Sequence, residues 1–217
     1  MSPMLWFDFG GVLSPPMSEL FARFEDRTGI TPAQLGGALH AVAAPLGLPD
    51  LAPIELGVLS EAEWGRAMAR ELAARHPGID LSRARFESFG AQWFEGVTVN
   101  QQMVATARHA RENGFRIGVL SNNVPEWEPY WHRIIEPLGE VDCLIDSCRV
   151  RVRKPDLEIF RIAEREAGVA AEDCVLIDDL AENCSGARAA GWRAVHFRGN
   201  AQAVRELQGL TGLAALL

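Results

Sequence analysis

Residues 5–13 read Leu5-Trp6-Phe7-Asp8-Phe9-Gly10-Gly11-Val12-Leu13. A run of large apolar side chains ends in one carboxylate and passes directly into a Gly-Gly turn. A strand buried on both faces reads as a continuous apolar run. Open α/β sheets bind their ligands at the edge where such strands end. The stretch predicts a first strand over residues 4–9 that presents Asp8 at its C-terminal end.

Working outward, the same punctuation recurs three times. Ile117-Gly118-Val119-Leu120 runs into Ser121-Asn122-Asn123, Cys174-Val175-Leu176-Ile177 runs into Asp178-Asp179, and Lys154-Pro155 opens a helical pattern. From about residue 97 helix and strand alternate. Helices are expected over 101–113, 126–135, 156–167 and 181–190, and strands over 116–120, 141–145, 173–177 and 193–197. Such alternation implies parallel strands joined by right-handed crossovers.

Residues 15–96 contain no convincing strand. Ser18 opens a helix to Arg27, Thr31-Pro32 places a capping residue before a first-turn proline, and Ser60-Glu61-Ala62-Glu63 is a capping box for a helix to Arg75. A further amphipathic helix is expected from Ser82 to Phe94, and Pro45 to Pro53 reads as a loop. The chain is therefore expected to be an α/β protein: a discontinuous core (1–14 and 97–217) with an inserted all-helical cap (15–96). An insert placed directly after the first strand must sit over the carboxyl edge of the sheet.

Composition narrows the function. The chain has 217 residues, 48% hydrophobic and 23% charged, as an ordinary globular protein has. A net charge of −8 argues against nucleic acid as the main partner, because phosphate backbones are bound by clustered Lys and Arg. Cys143, Cys148, Cys174 and Cys184 form no C-x-x-C pair and read as reduced thiols of a cytoplasmic protein. No signal peptide is expected, and no apolar run approaches the ~20 residues of a membrane span. The apolar tail from Leu207 to Leu217 is expected to dock on the core or on a partner subunit, so a homodimer is one expectation.

Each strand-end residue has a chemical and a plain reading. Asp8 is either a nucleophile or metal ligand, or a turn aspartate; a carboxylate in that place can attack phosphorus. The Ser121 hydroxyl suits a phosphoryl oxygen, with Asn122 as a further donor, or both belong to a polar turn. The Lys154 ammonium suits charge shared by two anions, or is a solvated lysine before a helix. Asp178 and Asp179 at a buried strand end are costly without a cation, and Mg²⁺ takes one or two carboxylates together with water and phosphate oxygens.

Taken together, D-F-G-G-V-L, the Ser121 segment, K-P-D-x-x-I-F and the Asp178-Asp179 pair resemble the haloacid dehalogenase superfamily, most of whose members are Mg²⁺-dependent phosphatases. The resemblance covers the whole chain and implies a Rossmann-like core with a helical cap. It implies Asp8, Ser121 and Lys154 as catalytic residues. Gly10, Gly11, Ser121, Asn122 and Lys154 would line a phosphate site, and Asp8, the Gly10 carbonyl, Asp178 and Asp179 would hold Mg²⁺. Asn183 would hold Asp179 or a metal-bound water. The implied substrate is a small phosphorylated metabolite.

One position departs from the pattern. Most phosphatases of that superfamily carry a second Asp two residues after the nucleophile, and here it is Gly10. Loss of a general acid/base costs about 10²–10⁴ in rate. Three readings follow: a phosphatase that draws its proton from elsewhere, with His40 and Glu19 as candidates, a metal-independent dehalogenase, or a weakly active phosphate-binding protein. The remaining conspicuous residues read structurally. Arg149, Arg151 and Arg153 alternate as on one face of an extended segment, and Trp127, Tyr130 and Trp131 suit a packed helix face.

Overall fold

The computed structural model describes residues 2–213. Five parallel strands, β1 (Met4–Phe7), β2 (Arg116–Ser121), β3 (Cys143–Asp146), β4 (Cys174–Asp178) and β5 (Arg193–His196), form one sheet in the order β3-β2-β1-β4-β5. The chain steps outward from β1 through β2 to β3, then returns to β1's other side for β4 and β5. The strand order therefore reverses at β1, the topological switch where α/β sheets bind ligands.

β1 is buried on both faces, which explains its unbroken apolar run. Successive strand side chains point to opposite faces. Leu5 and Phe7 join one apolar layer with Ile117, Val119, Val175 and Ile177. Met4 and Trp6 join the other with Leu120, Cys174 and Leu176. Trp6 has room because Gly118 lies beside it; a Cβ on Gly118 would strike the indole ring.

Between β1 and the first core helix the described residues contain helices and turns only: α1 (Met17–Thr28), α2 (Pro32–Ala43), α3 (Ala52–Glu55), α4 (Glu61–Arg75) and α5 (Phe89–Trp93). The expected capping boxes form, Thr31 with Gln34 and Ser60 with Glu63. α1 begins after Pro16 rather than on a Ser18 cap. The loop expected over 45–53 is broken by one-turn helices at Ala44–Leu46 and Ala52–Glu55. The long helix expected from Ser82 does not form. The Ser82 amide donates to Asp80 instead, and the Gln92 amide group accepts from Arg85 N–H and donates to the Arg83 carbonyl. Those bonds pin residues 83–85 outside helical geometry, leaving a turn at Phe86–Ser88 and the short α5.

The remaining core helices are α6 (Gln101–Glu112), α7 (Glu128–Ile135), α8 (Ser147–Val150), α9 (Leu157–Ala167), α10 (Ala181–Ala189) and α11 (Asn200–Thr211). α11 carries the tail, and Leu207 is fully buried in the core; residues 214–217 lie outside the described residues. The arginine segment is not extended. Arg149 ends in the one-turn α8 and Arg151 has left-handed backbone (φ 56°). Arg149 pairs with Glu128, and Arg153 pairs with the buried Glu55 of α3 at 2.7 Å. No helix among the described residues is long and apolar enough to cross a membrane.

The helical insert packs tightly against itself and the core. A Cβ on Gly65 of α4 would strike the Phe86 carbonyl. Alanine gains about 0.8–1 kcal/mol over glycine inside a helix, whereas forcing volume into a packed contact costs about 1–3 kcal/mol. The struck atom is backbone and cannot rotate away, so the second effect dominates. Gly65→Ala is expected to lower stability by up to about 2 kcal/mol, read as a lower urea midpoint at unchanged slope. A raised midpoint would refute the close approach.

Candidate active site

Sheet parity assembles the site. Asp8 continues the face of Met4 and Trp6, Asp178 that of Cys174 and Leu176. Asp8 keeps extended backbone (φ −68°, ψ 156°), and its amide bonds the Ile177 carbonyl at 2.9 Å. The two carboxylates thus emerge on the same side of adjacent strands. Lys154 arrives there because α9, which follows it, packs Ile159 and Phe160 on that face.

The Lys154 ammonium donates to Asp8 Oδ1 at 2.8 Å, Asp178 Oδ2 at 2.6 Å and the Leu120 carbonyl at 2.8 Å. An ammonium has three donors, so all are engaged, in a site where Lys154 is 1% exposed. Burial works against the charged lysine, but Asp178 and Asp8 outweigh it and its pKa is raised. Asp178 is held further: its Oδ1 accepts from Leu180 N–H and from Asn183 Nδ2, both at 2.9 Å. Asn183 therefore anchors Asp178, not Asp179.

The Asn122 side chain performs a task that sequence patterning did not reveal. Its Oδ1 accepts from Lys154 N–H at 2.8 Å and its Nδ2 donates to the Lys154 carbonyl at 3.0 Å. This two-point clasp fixes the lysine backbone, so the side chain is committed to Lys154. Ser121 is buried, and among the described residues its hydroxyl has only 3.5 Å contacts, with the Asn122 carbonyl and Asn123 Nδ2. At that distance the hydroxyl is not committed. Asn123 bonds the Ser147 hydroxyl, which in turn reaches the Glu55 carbonyl of the insert.

Asp8 Oδ2 carries no hydrogen bond among the described residues. The loop beyond it is a single wide turn closed by Ser14 N–H to the Phe9 carbonyl at 2.8 Å, with Gly11 N–H on Ser14 Oγ at 3.0 Å. Gly11 has φ 68°, and a Cβ there would collide with the Asp179 carboxylate. Glycine is needed for both reasons. Gly10 is different: its backbone (φ −63°, ψ 125°) suits any residue. A Cβ there would meet only Asp8 Oδ2 at 3.8 Å and Met17 Sδ at 4.0 Å.

Asp8, Asp178 and Asp179 offer carboxylate oxygens within 4.8 Å of one another. Three carboxylates and one ammonium leave two negative charges uncompensated when all are ionised. That deficit equals one divalent cation, and an all-oxygen donor set suits Mg²⁺. Burial, only partly offset by Lys154 and reinforced by Asp178, pushes Asp8 up to about 8. Burial and Asp178 push Asp179 up to about 6. The two suggested proton sources lie elsewhere in character: His40 is exposed and pairs with Asp50 at 3.3 Å, and Glu19 is exposed.

A model of the haloacid dehalogenase-like hydrolase family matches residues 7–191. The bifunctional epoxide hydrolase 2 of Sus scrofa is 24% identical over 222 aligned positions, covering 97% of this chain and 39% of that protein. A phosphatase of Mycobacterium tuberculosis is 33% identical over 88 residues, 39% of this chain and 40% of that one. The chain thus spans well under half the length of the epoxide hydrolase, and the match to the phosphatase is confined to well under half of either protein. L-2-haloacid dehalogenase from Xanthobacter autotrophicus superposes with a TM-score of 0.65 at 16% identity, covering 99% of this chain and 85% of that one. A HAD family enzyme of Bacteroides thetaiotaomicron, solved with magnesium and inorganic phosphate, superposes with a TM-score of 0.60 at 15% identity, covering 90% and 93%. At these identities the likeness shows the fold.

Two outcomes are expected. Lys154→Met leaves Asp8 and Asp178 facing each other unneutralised, and breaking a buried pair in this way costs about 3–5 kcal/mol, measurable by urea unfolding without metal. The second concerns pH. Asp8 and Asp179 have folded-state pKa values above their ordinary value of 3.8. Their protonation therefore favours the folded chain, an advantage present below about pH 4 and lost as pH rises through about 6 and then 8. Metal-free thermal stability should fall over that window, and the rise in Tm on adding Mg²⁺ should be larger at pH 8 than at pH 5. Asp8→Asn should remove most of the difference; an equal Mg²⁺ effect at both pH values would refute the cluster as the binding site.

Proposed function

The chain belongs to the haloacid dehalogenase-like hydrolases, and from that premise we propose that it is a Mg²⁺-dependent phosphatase acting on a small phosphate monoester. The observation that carries the reading is the division of labour at Asp8. Lys154 holds Oδ1, while Oδ2 is unbonded inside a three-carboxylate cluster short of one divalent cation. In this reading Asp8 Oδ2 attacks phosphorus as the bond to the ester oxygen breaks, giving an aspartyl phosphate and an alcohol that takes its proton from solvent. Water then attacks phosphorus, the Asp8 bond to phosphorus breaks, and inorganic phosphate leaves.

Each neighbour has a part. Lys154 keeps Asp8 aligned and offsets charge that builds on the transferring group, with its own donors already occupied. Ser121, whose hydroxyl is uncommitted, binds a phosphoryl oxygen, and the turn amides at Gly10 and Gly11 line the same site. Asn122 positions Lys154. The Gly10 carbonyl and the Asp8, Asp178 and Asp179 carboxylates would hold Mg²⁺, which when bound would neutralise the phosphoryl oxygens. Asp178 also orients the lysine through Oδ2, and is itself held by Leu180 N–H and Asn183. Residues 15–96 act as a cap that excludes water and selects the leaving group.

Gly10 is the observation favouring a second reading, hydrolytic dehalogenation, because a halide leaves without a proton. The unbalanced carboxylate cluster supports the phosphatase over it. Phosphate release that requires Mg²⁺ and disappears in Asp8→Asn is expected; halide release from 2-haloacids without metal, in the absence of phosphate release, would overturn the proposal. Gly10→Asp tests the missing proton donor, since the backbone and surrounding space accept a side chain there. It is expected to raise turnover of unactivated alkyl phosphates by about 10²-fold, the lower end of general acid/base effects. Turnover of an activated aryl phosphate should change by only a few-fold.

A further inference from the structure

A cavity of about 50 Å³ lies where the helical insert meets the core. Met17 and Phe21 of α1, Leu39 of α2, Trp64 of α4 and Trp127 of the core are among its walls, and every residue lining it is apolar or aromatic. The Trp127 indole N–H is already given to Glu61 Oε1 at 2.7 Å. Folded interiors hold few voids larger than a water molecule, and an apolar one stays dry until an apolar ligand enters.

Met17 is common to the cavity wall and to the surroundings of Gly10, beside the candidate nucleophile. Met17 Sδ lies 4.0 Å from the place a Gly10 Cβ would take. That same point is 3.8 Å from Asp8 Oδ2, the unbonded oxygen. The Met17 thioether therefore stands between the position over Gly10, next to Asp8 Oδ2, and the cavity whose wall it forms. An unbranched thioether has three rotatable bonds and adapts to what passes it.

We infer that this cavity receives the carbon skeleton of the leaving group, so that the substrates are aliphatic phosphate monoesters rather than sugar or nucleoside phosphates. The inference rests on the phosphatase reading for the placement of the phosphoryl group at Asp8. A hydroxylated leaving group would lose water from its hydroxyls and find no partner in this lining, which a site penalises heavily. A methylene passing from water into it gains about fourfold in affinity. The volume is about one third of an engineered cavity that accepts benzene, so it takes a tail of two or three carbons beyond Met17.

The test is the affinity of the full chain, with Mg²⁺, for n-alkylphosphonates from methyl to octyl by calorimetry, beside phosphate release from n-alkyl phosphates and from a hexose phosphate. Affinity should rise about fourfold per methylene over a short span and then level. Leu39→Ala should carry the rise to longer chains, and Leu39→Phe should flatten it. An affinity independent of chain length in the unaltered protein, no phosphonate binding at any length, or faster release from the hexose phosphate than from every alkyl ester would each overturn the assignment. Chain-length-dependent phosphonate binding with no phosphate release from any ester would uphold the apolar subsite and remove the phosphatase reading. Release from all esters at rates independent of length would do the reverse.

Discussion

One buried ammonium ties together the three central strands. Lys154 donates to Asp8 beyond β1, to the Leu120 carbonyl of β2 and to Asp178 at the end of β4. Replacing a buried ion pair by apolar groups of equal volume is often neutral or stabilising. The contacts are therefore poor stabilisers in net terms, and what they fix is geometry and charge. They hold a carboxylate at the switch point of the sheet with one oxygen restrained and the other unbonded. Removing the lysine alone would leave two buried carboxylates facing each other without their shared cation.

The sheet delivers these groups because its strands are covered on both faces. Leu5 and Phe7 look toward the layer shared with the helical insert, and Met4 and Trp6 toward α9 and α10. Asp8 extends the second set, which brings it to Lys154. The insert is fastened to the same edge by polar contacts between chain segments far apart in sequence. Glu55 pairs with Arg153 one residue before Lys154, Ser147 reaches the Glu55 carbonyl, and Glu61 accepts from both Trp127 and the Gly90 amide. Gly90 lies so close to Trp127 that a Cβ would overlap the indole. The aromatic seam and the cavity within it follow from this close approach.

Much of this was legible in the sequence because it depends on local punctuation. Apolar runs ending in Asp8, Ser121 and Asp178 mark strand ends, and Lys154-Pro155 marks a helix start, which together put these residues at one edge of the sheet. The division between Asp178 and Asp179 was less plain. Adjacent strand residues point to opposite sides, and matching parity with Met4, Trp6 and Asp8 would have sent Asp178 to the lysine. The Asn122 clasp had no such signal, because it requires two loops 32 residues apart to meet. The helix expected from Ser82 failed for a similar reason. Gln92 folds back on Arg83 and Arg85, a contact that periodicity does not encode. Arg149 and Arg153 likewise took their places from Glu128 and Glu55, acidic partners remote in sequence.

The electrostatics of the edge connect folding with the proposed chemistry. Burial raises Asp8 and Asp179 because each carboxylate loses water and meets another negative group. A proton relieves that cost in the metal-free chain, and a divalent cation bound as proposed would relieve it at higher pH, so proton and metal would compete for the same oxygens. The Lys154 tripod cannot substitute for either, since its three donors are spent on Oδ1 of Asp8, Oδ2 of Asp178 and a carbonyl. Asp8 thus has one oxygen whose environment is set by the fold and one whose environment is set by the ligand. A carboxylate so divided is fixed in direction yet remains available to bond, which is the condition an attacking group must meet. Gly10 leaves the approach to that second oxygen open, and Met17 makes its far side apolar.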